Sequence, residues 1–117
     1  MSKIYNMKGT HLGELEEIAL LVVANLFDNA YGVAVKLEIE EKAGRKITIS
    51  TVHTSLHRLE EKGFVKSEVG GTTKARGGRR KRLYRISETG YQALDDARSL
   101  RNKMWQLMPK LDFKTNS

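Results

Sequence analysis

The stretch YGVAVKLEIEEKAG, residues 31–44, decides the fold, because its spacing fits two different elements. Val33, Val35, Leu37 and Ile39 alternate, which on period alone describes a strand. Against that, Lys, Leu, Glu and Ala are good helix formers, and Tyr31, Val35 and Ile39 also line one face of a helix. Gly44 supplies a stop. We read a helix.

Upstream, LGELEEIALLVVANLFD (residues 12–28) sets Leu12, Leu15, Ile18, Ala19, Val22 and Leu26 at helical spacing, with acids early, where the helix dipole favours them. The middle of this helix is apolar nearly all round, so it is either central to the domain or shared with a second subunit. Downstream, TISTVHTSLHRLEEKG begins with a candidate N-cap, Thr48, and carries an inward stripe of Val52, Leu56 and Leu59. Gly63 suits a left-handed C-cap. The face opposite the stripe shows Ser50, Thr51, His53, Thr54, His57 and Arg58. FVKSEV and RLYRIS then read as strands flanking GGTTKARGGRRK, a hairpin with a long glycine-punctuated tip. Ser87 is placed to cap a last helix along which Ala93, Ala97, Leu100, Met104, Leu107 and Leu111 form a seam for another helix. Pro109 predicts the end of that helix near or before its own position. Tyr91 and Leu94 are expected in the core.

The chain has 117 residues, which suits one domain, and no cysteine, which excludes disulfides and thiol chemistry. Neither its first residues nor its longest apolar run, Ile18 to Ala24, matches a signal peptide or membrane span, so a cytoplasmic protein without a membrane partner is expected. The net charge of +7 is unevenly distributed: residues 47–86 hold ten basic and three acidic groups. A localised excess suggests a face for phosphates.

In order, these elements make a mainly α winged helix-turn-helix: a three-helix core, a two-stranded β wing, and a long C-terminal dimerisation helix. The expected divisions are a flexible segment 1–11, a DNA-binding domain 12–87, the dimerisation helix 88–109 and a frayed tail 110–117. In this arrangement the third helix enters the major groove of double-stranded DNA, and the hairpin carries Lys74, Arg76, Arg79, Arg80 and Lys81 onto phosphates or into the minor groove. Gly77 and Gly78 allow the tip to turn and approach closely. Base reading falls to Ser50, Thr51, His53, Thr54 and His57, with Arg58 reaching base edges or phosphate.

The ordered set LGELEEIALLVV, AYGVAVKLEIEEKAGRK, TVHTSLHRLEEKGFV and GGRRKRLYRISETG resembles the PadR family of transcriptional regulators, of the short type with a single C-terminal helix. The resemblance covers roughly residues 12 to 108. It implies a homodimer built from the first and last helices, binding a pseudo-palindromic promoter site, usually as a repressor. Leu15, Ile18, Val22, Ala97, Leu100, Met104 and Leu107 are the interface residues we expect. One departure is His53, which stands where the family generally has tyrosine at a position associated with DNA contact.

Several plainer or rival readings apply. A charge run is commonly a solvated loop, but here it sits between strands and follows a polar-faced helix. His53 and His57, one turn apart, lack an obvious third ligand, so no metal or other cofactor is expected. Glu16–Glu17 and Asp95–Asp96 are sequence neighbours that diverge by about 100° on a helix, and no catalytic motif surrounds them; we expect no enzyme. Trp105 and Met108, with Met104, either line a pocket for a small flat apolar or aromatic effector, as in drug-sensing members of the family, or simply pack a dimer core. The functional rivals are a sequence-indifferent DNA-coating protein and a protein-interaction module using the basic wing.

Overall fold

The computed structural model describes residues 11–70 and 81–114. Among these, helix α1 (Glu14–Leu26) runs into a 3-10 turn (Phe27–Asn29) and is followed by α2 (Gly32–Ala43) and α3 (Ile49–Glu61). Strands β1 (Val65–Val69) and β2 (Arg82–Ile86) come next, then helix α4 (Glu88–Leu107).

The ambiguous stretch is helical, and burial shows why. A strand would put Val33, Val35, Leu37 and Ile39 on one face. Instead Val35 and Ile39 are fully buried while Val33 and Leu37 are exposed, the split that a 3.6-residue period produces. Gly44 then takes φ 63°, the left-handed cap that a residue without Cβ adopts at least cost. In α3, Val52, Leu56 and Leu59 are fully buried as a stripe. In α1 the core face differs from the expected one: Leu20 and Val23 are buried with Ala19 and Val22, and Leu21 is left exposed. The run IALLVVA is apolar on every side, so spacing alone does not mark which side turns inward.

β1 and β2 pair antiparallel from Val65↔Ile86 to Val69↔Arg82. The free edge of β2 meets the segment before α2, where Tyr31 bridges Leu83 and the Tyr84 amide donates to the Ala30 carbonyl at 3.0 Å. Phe64, Val65, Leu83 and Tyr84 are buried, and all but Leu83 join the helical core cluster, so the hairpin is anchored to the helices. This is a winged helix-turn-helix, with α4 continuing from the wing.

The start of α4 is locked to the end of α3. Ser87 caps the helix by accepting from the Gly90 amide at 3.0 Å and donates its hydroxyl to the Gly63 carbonyl at 2.7 Å. Its own amide donates to Phe64 at 2.9 Å. Gly90 is buried there, and any Cβ on it would overlap the Phe64 carbonyl oxygen and lie 3.0 Å from its carbon. Ala93 and Leu94 are partly buried against the core, but from Arg98 onward every described residue is exposed. Tyr91, expected in the core, is exposed instead, because the first turns of α4 present Gly90, Ala93 and Leu94 inward. The helix ends before Pro109: Met108 is extended at ψ 133°, as the ring of a following proline requires.

Gly90→Ala tests this junction. Helix propensity alone favours alanine by up to about 1 kcal/mol. Overlap with a backbone carbonyl outweighs it, so we expect a net loss of about 1–3 kcal/mol in urea unfolding with an unchanged m value.

Candidate nucleic-acid interface

The polar face of α3 is set by its cap and by the turn before it. Thr48 accepts from the Thr51 amide at 3.1 Å, satisfying one of the free donors at the helix start. The Thr48 hydroxyl donates to Thr51 Oγ1 at 2.9 Å, which leaves the Thr51 hydrogen directed elsewhere. Thr54 donates to the Ser50 carbonyl at 3.0 Å, so its hydroxyl offers lone pairs outward. The turn is pinned by Glu40, which receives the Ile47 amide at 3.3 Å and the Lys36 ammonium at 3.1 Å. The Lys36 hydrogen bond and then that amide hold the Glu40 carboxyl below its ordinary value of 4.5. At the other end of α3, Lys62 donates to Glu16 and to the His11 carbonyl, both at 2.6 Å.

Ser50, Thr51, His53, Thr54, His57 and Arg58 are all exposed on this one helix. Two have company on the surface. His57 Nε2 lies 3.2 Å from Glu61, and the His53 ring sits over Gly32, where a Cβ would come within 2.7 Å of Nε2. Ser55, on the same helix, is buried.

The basic hairpin divides in two. Lys74, Arg76, Arg79 and Arg80, with Gly77 and Gly78, lie outside the described residues. Of the remainder, Arg82 donates to Ser67 at 3.0 Å, and Ser67 donates to Glu60 at 2.7 Å, tying both strands to α3. Arg85 pairs with Asp28 at 3.0 Å. Those two arginines therefore hold the hairpin to the helices. Lys81 is different: it is exposed, and its ammonium stands 5.6 Å from the centre of the Tyr31 ring. Buried Tyr84 has its phenol pushed up by burial and by nearby Glu60.

Sequence reading placed Tyr31 on the helical face with Val35 and Ile39 and gave it no role in the site, whereas it stands just before α2. Sequence reading also left out Lys46 and Lys66, exposed cations at the helix-turn-helix turn and on β1. Tyr31 had a signal only in its position, an aromatic beside a glycine at a helix start. Lys46 and Lys66 were isolated charges outside the conspicuous run.

The far half of α4 presents a different surface. Leu100, Met104, Trp105 and Leu107 are 59%, 58%, 71% and 65% exposed. An open groove between the segment leading into α1 and α4 is lined by Leu12, Ala93, Ala97 and Leu100 and reaches Met104 and Trp105. Met104, Trp105, Leu107 and Met108 border a second, shallower depression. Arg101 joins the two helices by pairing with Glu17 at 3.1 Å. Leu15 and Ile18 are partly buried, and Val22 is turned into the core, only 6% exposed.

Among the described residues, no three His, Asp or Glu side chains converge as a metal site, and no helix is long and apolar enough to cross a membrane. An exposed, polar-faced helix held beside an anchored β hairpin defines the winged-helix class of DNA-binding proteins. The comparisons are more specific. Residues 20–96 match the model of the transcriptional regulator PadR-like family. The fold is similar to a PadR-like transcription factor from Bacteroides fragilis, with a TM-score of 0.70 and 17% identity over 91% of this chain and 95% of that one. It is similar also to a PadR family transcription regulator from hypervirulent Clostridium difficile R20291, with a TM-score of 0.60 and 23% identity over 79% and 93% of the two chains. A transcriptional regulator from Clostridium thermocellum aligns with a TM-score of 0.60 and 26% identity over 81% and 92%. Comparison with curated proteins finds no match. The chain belongs to the PadR-like family, and so to the DNA-binding regulators of transcription.

Glu40 gives the turn an acid sensitivity. A carboxyl whose pKa is lowered by folding contributes stability above its unfolded value and loses it as the pH falls through the folded one. Glu40→Gln should therefore be less stable than the wild type at pH 7. The difference should shrink as the pH falls below about 4.5, as thermal unfolding across pH 3–7 will read.

Proposed function

We propose that the protein is a repressor that binds a pseudo-palindromic promoter site as a homodimer in the cytoplasm. The observation that carries the reading is the apolar far half of α4, where Leu100, Met104, Trp105 and Leu107 stand in water on a helix whose first turns alone reach the core. Four large apolar side chains along one helix are a costly surface for a monomer and a suitable one for a second copy. Pairing through α4 and the groove beside it gives a two-fold assembly, with two α3 helices spaced for successive major grooves about 34–36 Å apart. Ala97 and Leu100 line that groove, and Leu15 and Ile18 lie on the neighbouring helix.

In the assembly Ser50, Thr51, His53, Thr54, His57 and Arg58 read bases, and Lys74, Arg76, Arg79, Arg80 and Lys81 contact phosphates. A small apolar or aromatic effector entering beside Trp105 and Met108 changes the packing of the two α4 helices. That change alters the spacing of the α3 pair and releases the promoter.

Met104→Glu should leave the exposed helix folded and shift sedimentation from dimer to monomer, with promoter affinity falling at least about tenfold because one half-site alone remains. Unchanged sedimentation would sink the interface. Promoter and random duplexes in competition decide between a site-specific regulator, which prefers its site by about 10³ or more, and a sequence-indifferent coat. In the double variant Arg79→Ala, Arg80→Ala the slope of log affinity against log salt should fall by about two.

A further inference from the structure

When a helix occupies the major groove and a hairpin the adjacent minor groove, one sugar–phosphate strand separates them. That strand crosses whatever part of the protein lies between the two elements. Here the intervening segment is Tyr31–Gly32. Gly32 lies directly beneath the His53 ring on α3, close enough that a Cβ would reach 2.7 Å from Nε2. Tyr31 pairs through its backbone with Leu83 of the wing. Its ring edge runs along the wing base: a Cβ built on Gly70 would stand 3.6 Å from Cε1 and 3.8 Å from the hydroxyl oxygen. Lys81, which closes the described part of the wing by accepting from the Gly70 amide at 2.6 Å, holds its ammonium over the same ring.

We propose that Tyr31 is a DNA-backbone contact whose hydroxyl, together with the Lys81 ammonium, seats the phosphate passing between the two grooves. The chemistry suits the position. A phenol donates one hydrogen bond to an anionic oxygen, and the ring face steadies the neighbouring cation without neutralising it. An acid in place of the tyrosine would cancel Lys81; the aromatic orders it. Arg82 and Arg85, the next basic residues along the strand, already have partners within the protein, so among the described residues Lys81 is the cation at the base of β2 that faces outward. The contact is blind to sequence and fixes how deeply α3 and the wing enter their grooves together.

The proposal rests on the DNA-binding reading but not on repression or a specific operator. Its test uses the full-length protein with both a random duplex and a promoter fragment, titrated across a salt series. Tyr31→Phe keeps the ring and the backbone bridge and removes only the hydroxyl. We expect an unchanged melting midpoint and a loss of about five- to tenfold in affinity on both duplexes, with the same salt slope, because no charge is removed. Lys81→Ala should lower the slope by about one. In the double variant the losses should be less than additive, since both groups serve one phosphate. Equal affinity for Tyr31→Phe and wild type, a loss confined to one of the two duplexes, or strict additivity with Lys81→Ala would each overturn the assignment. A wild type that shows no preference for the promoter would overturn the site-specific repressor reading alone, because the random duplex still reports the phosphate seat.

Discussion

Two five-residue strands do not form a stable hairpin in water by themselves. A hairpin continuing into a cluster of like charges is less stable still. The candidate DNA-binding surface therefore depends on how β1 and β2 are tied to the helices, and the ties come from both edges. On one side the Glu60–Ser67–Arg82 chain joins α3 to both strands. On the other, the Tyr31–Leu83 bridge and the Arg85–Asp28 pair join β2 to the turn that ends α1. Between them Phe64, Val65 and Tyr84 sink into the core formed by Val52, Leu56, Leu59 and the α1 residues. Exposed ion pairs contribute little singly, about 0–1 kcal/mol, so burial supplies most of the holding energy and the polar ties set direction. The hairpin's angle to α3 is thereby a property of the folded core, and basic residues beyond Lys81 start from a fixed root.

That division of labour explains what was legible in the sequence. Caps and stops are local: Thr48, Ser87, Gly44 and Gly63 each act within a few residues of themselves, so their roles could be read from the letters. The choice between strand and helix at residues 31–44 was also decidable, because helix formers outweighed a coincidental alternation. The inward face of α1 was not. When every side of a helix is apolar, the neighbours choose the buried side, and Leu20 and Val23 were chosen for reasons that lie in α2 and α3. Phe27 is illegible in another way. It adopts φ 52°, a conformation usually left to glycine, and nothing in its identity announces that.

The basic run shows the same limit at the candidate site. As letters, seven cations between residues 74 and 85 look equivalent. In three dimensions the described ones, Lys81, Arg82 and Arg85, are not. Arg82 and Arg85 find hydroxyl and carboxylate partners inside the molecule, and Lys81 finds an aromatic ring. Net charge pointed to the class of partner, whereas the fold determined which of the described cations face outward. Tyr31 gains its relation to the run only because the chain returns 52 residues later to pair with it at Leu83.

The two ends of the molecule place opposite demands on the chain. At the winged-helix end, polar side chains are exposed on elements whose backs are buried and whose positions are fixed. Along α4 the reverse holds: the helix is anchored rigidly at Ser87 and Gly90 and then runs clear of its own core with apolar side chains outward. Because the Ser87–Gly63 and Ser87–Phe64 hydrogen bonds connect the N-cap of α4 to the turn that follows α3, the two regions share one joint. That joint is tight, made of hydrogen bonds of 2.7–2.9 Å and a glycine with no room for a side chain, and Arg101 adds a tie to Glu17 of α1 further along. Whatever covers Leu100 to Leu107 in the proposed dimer is thus built on the same close-packed joint that carries α3.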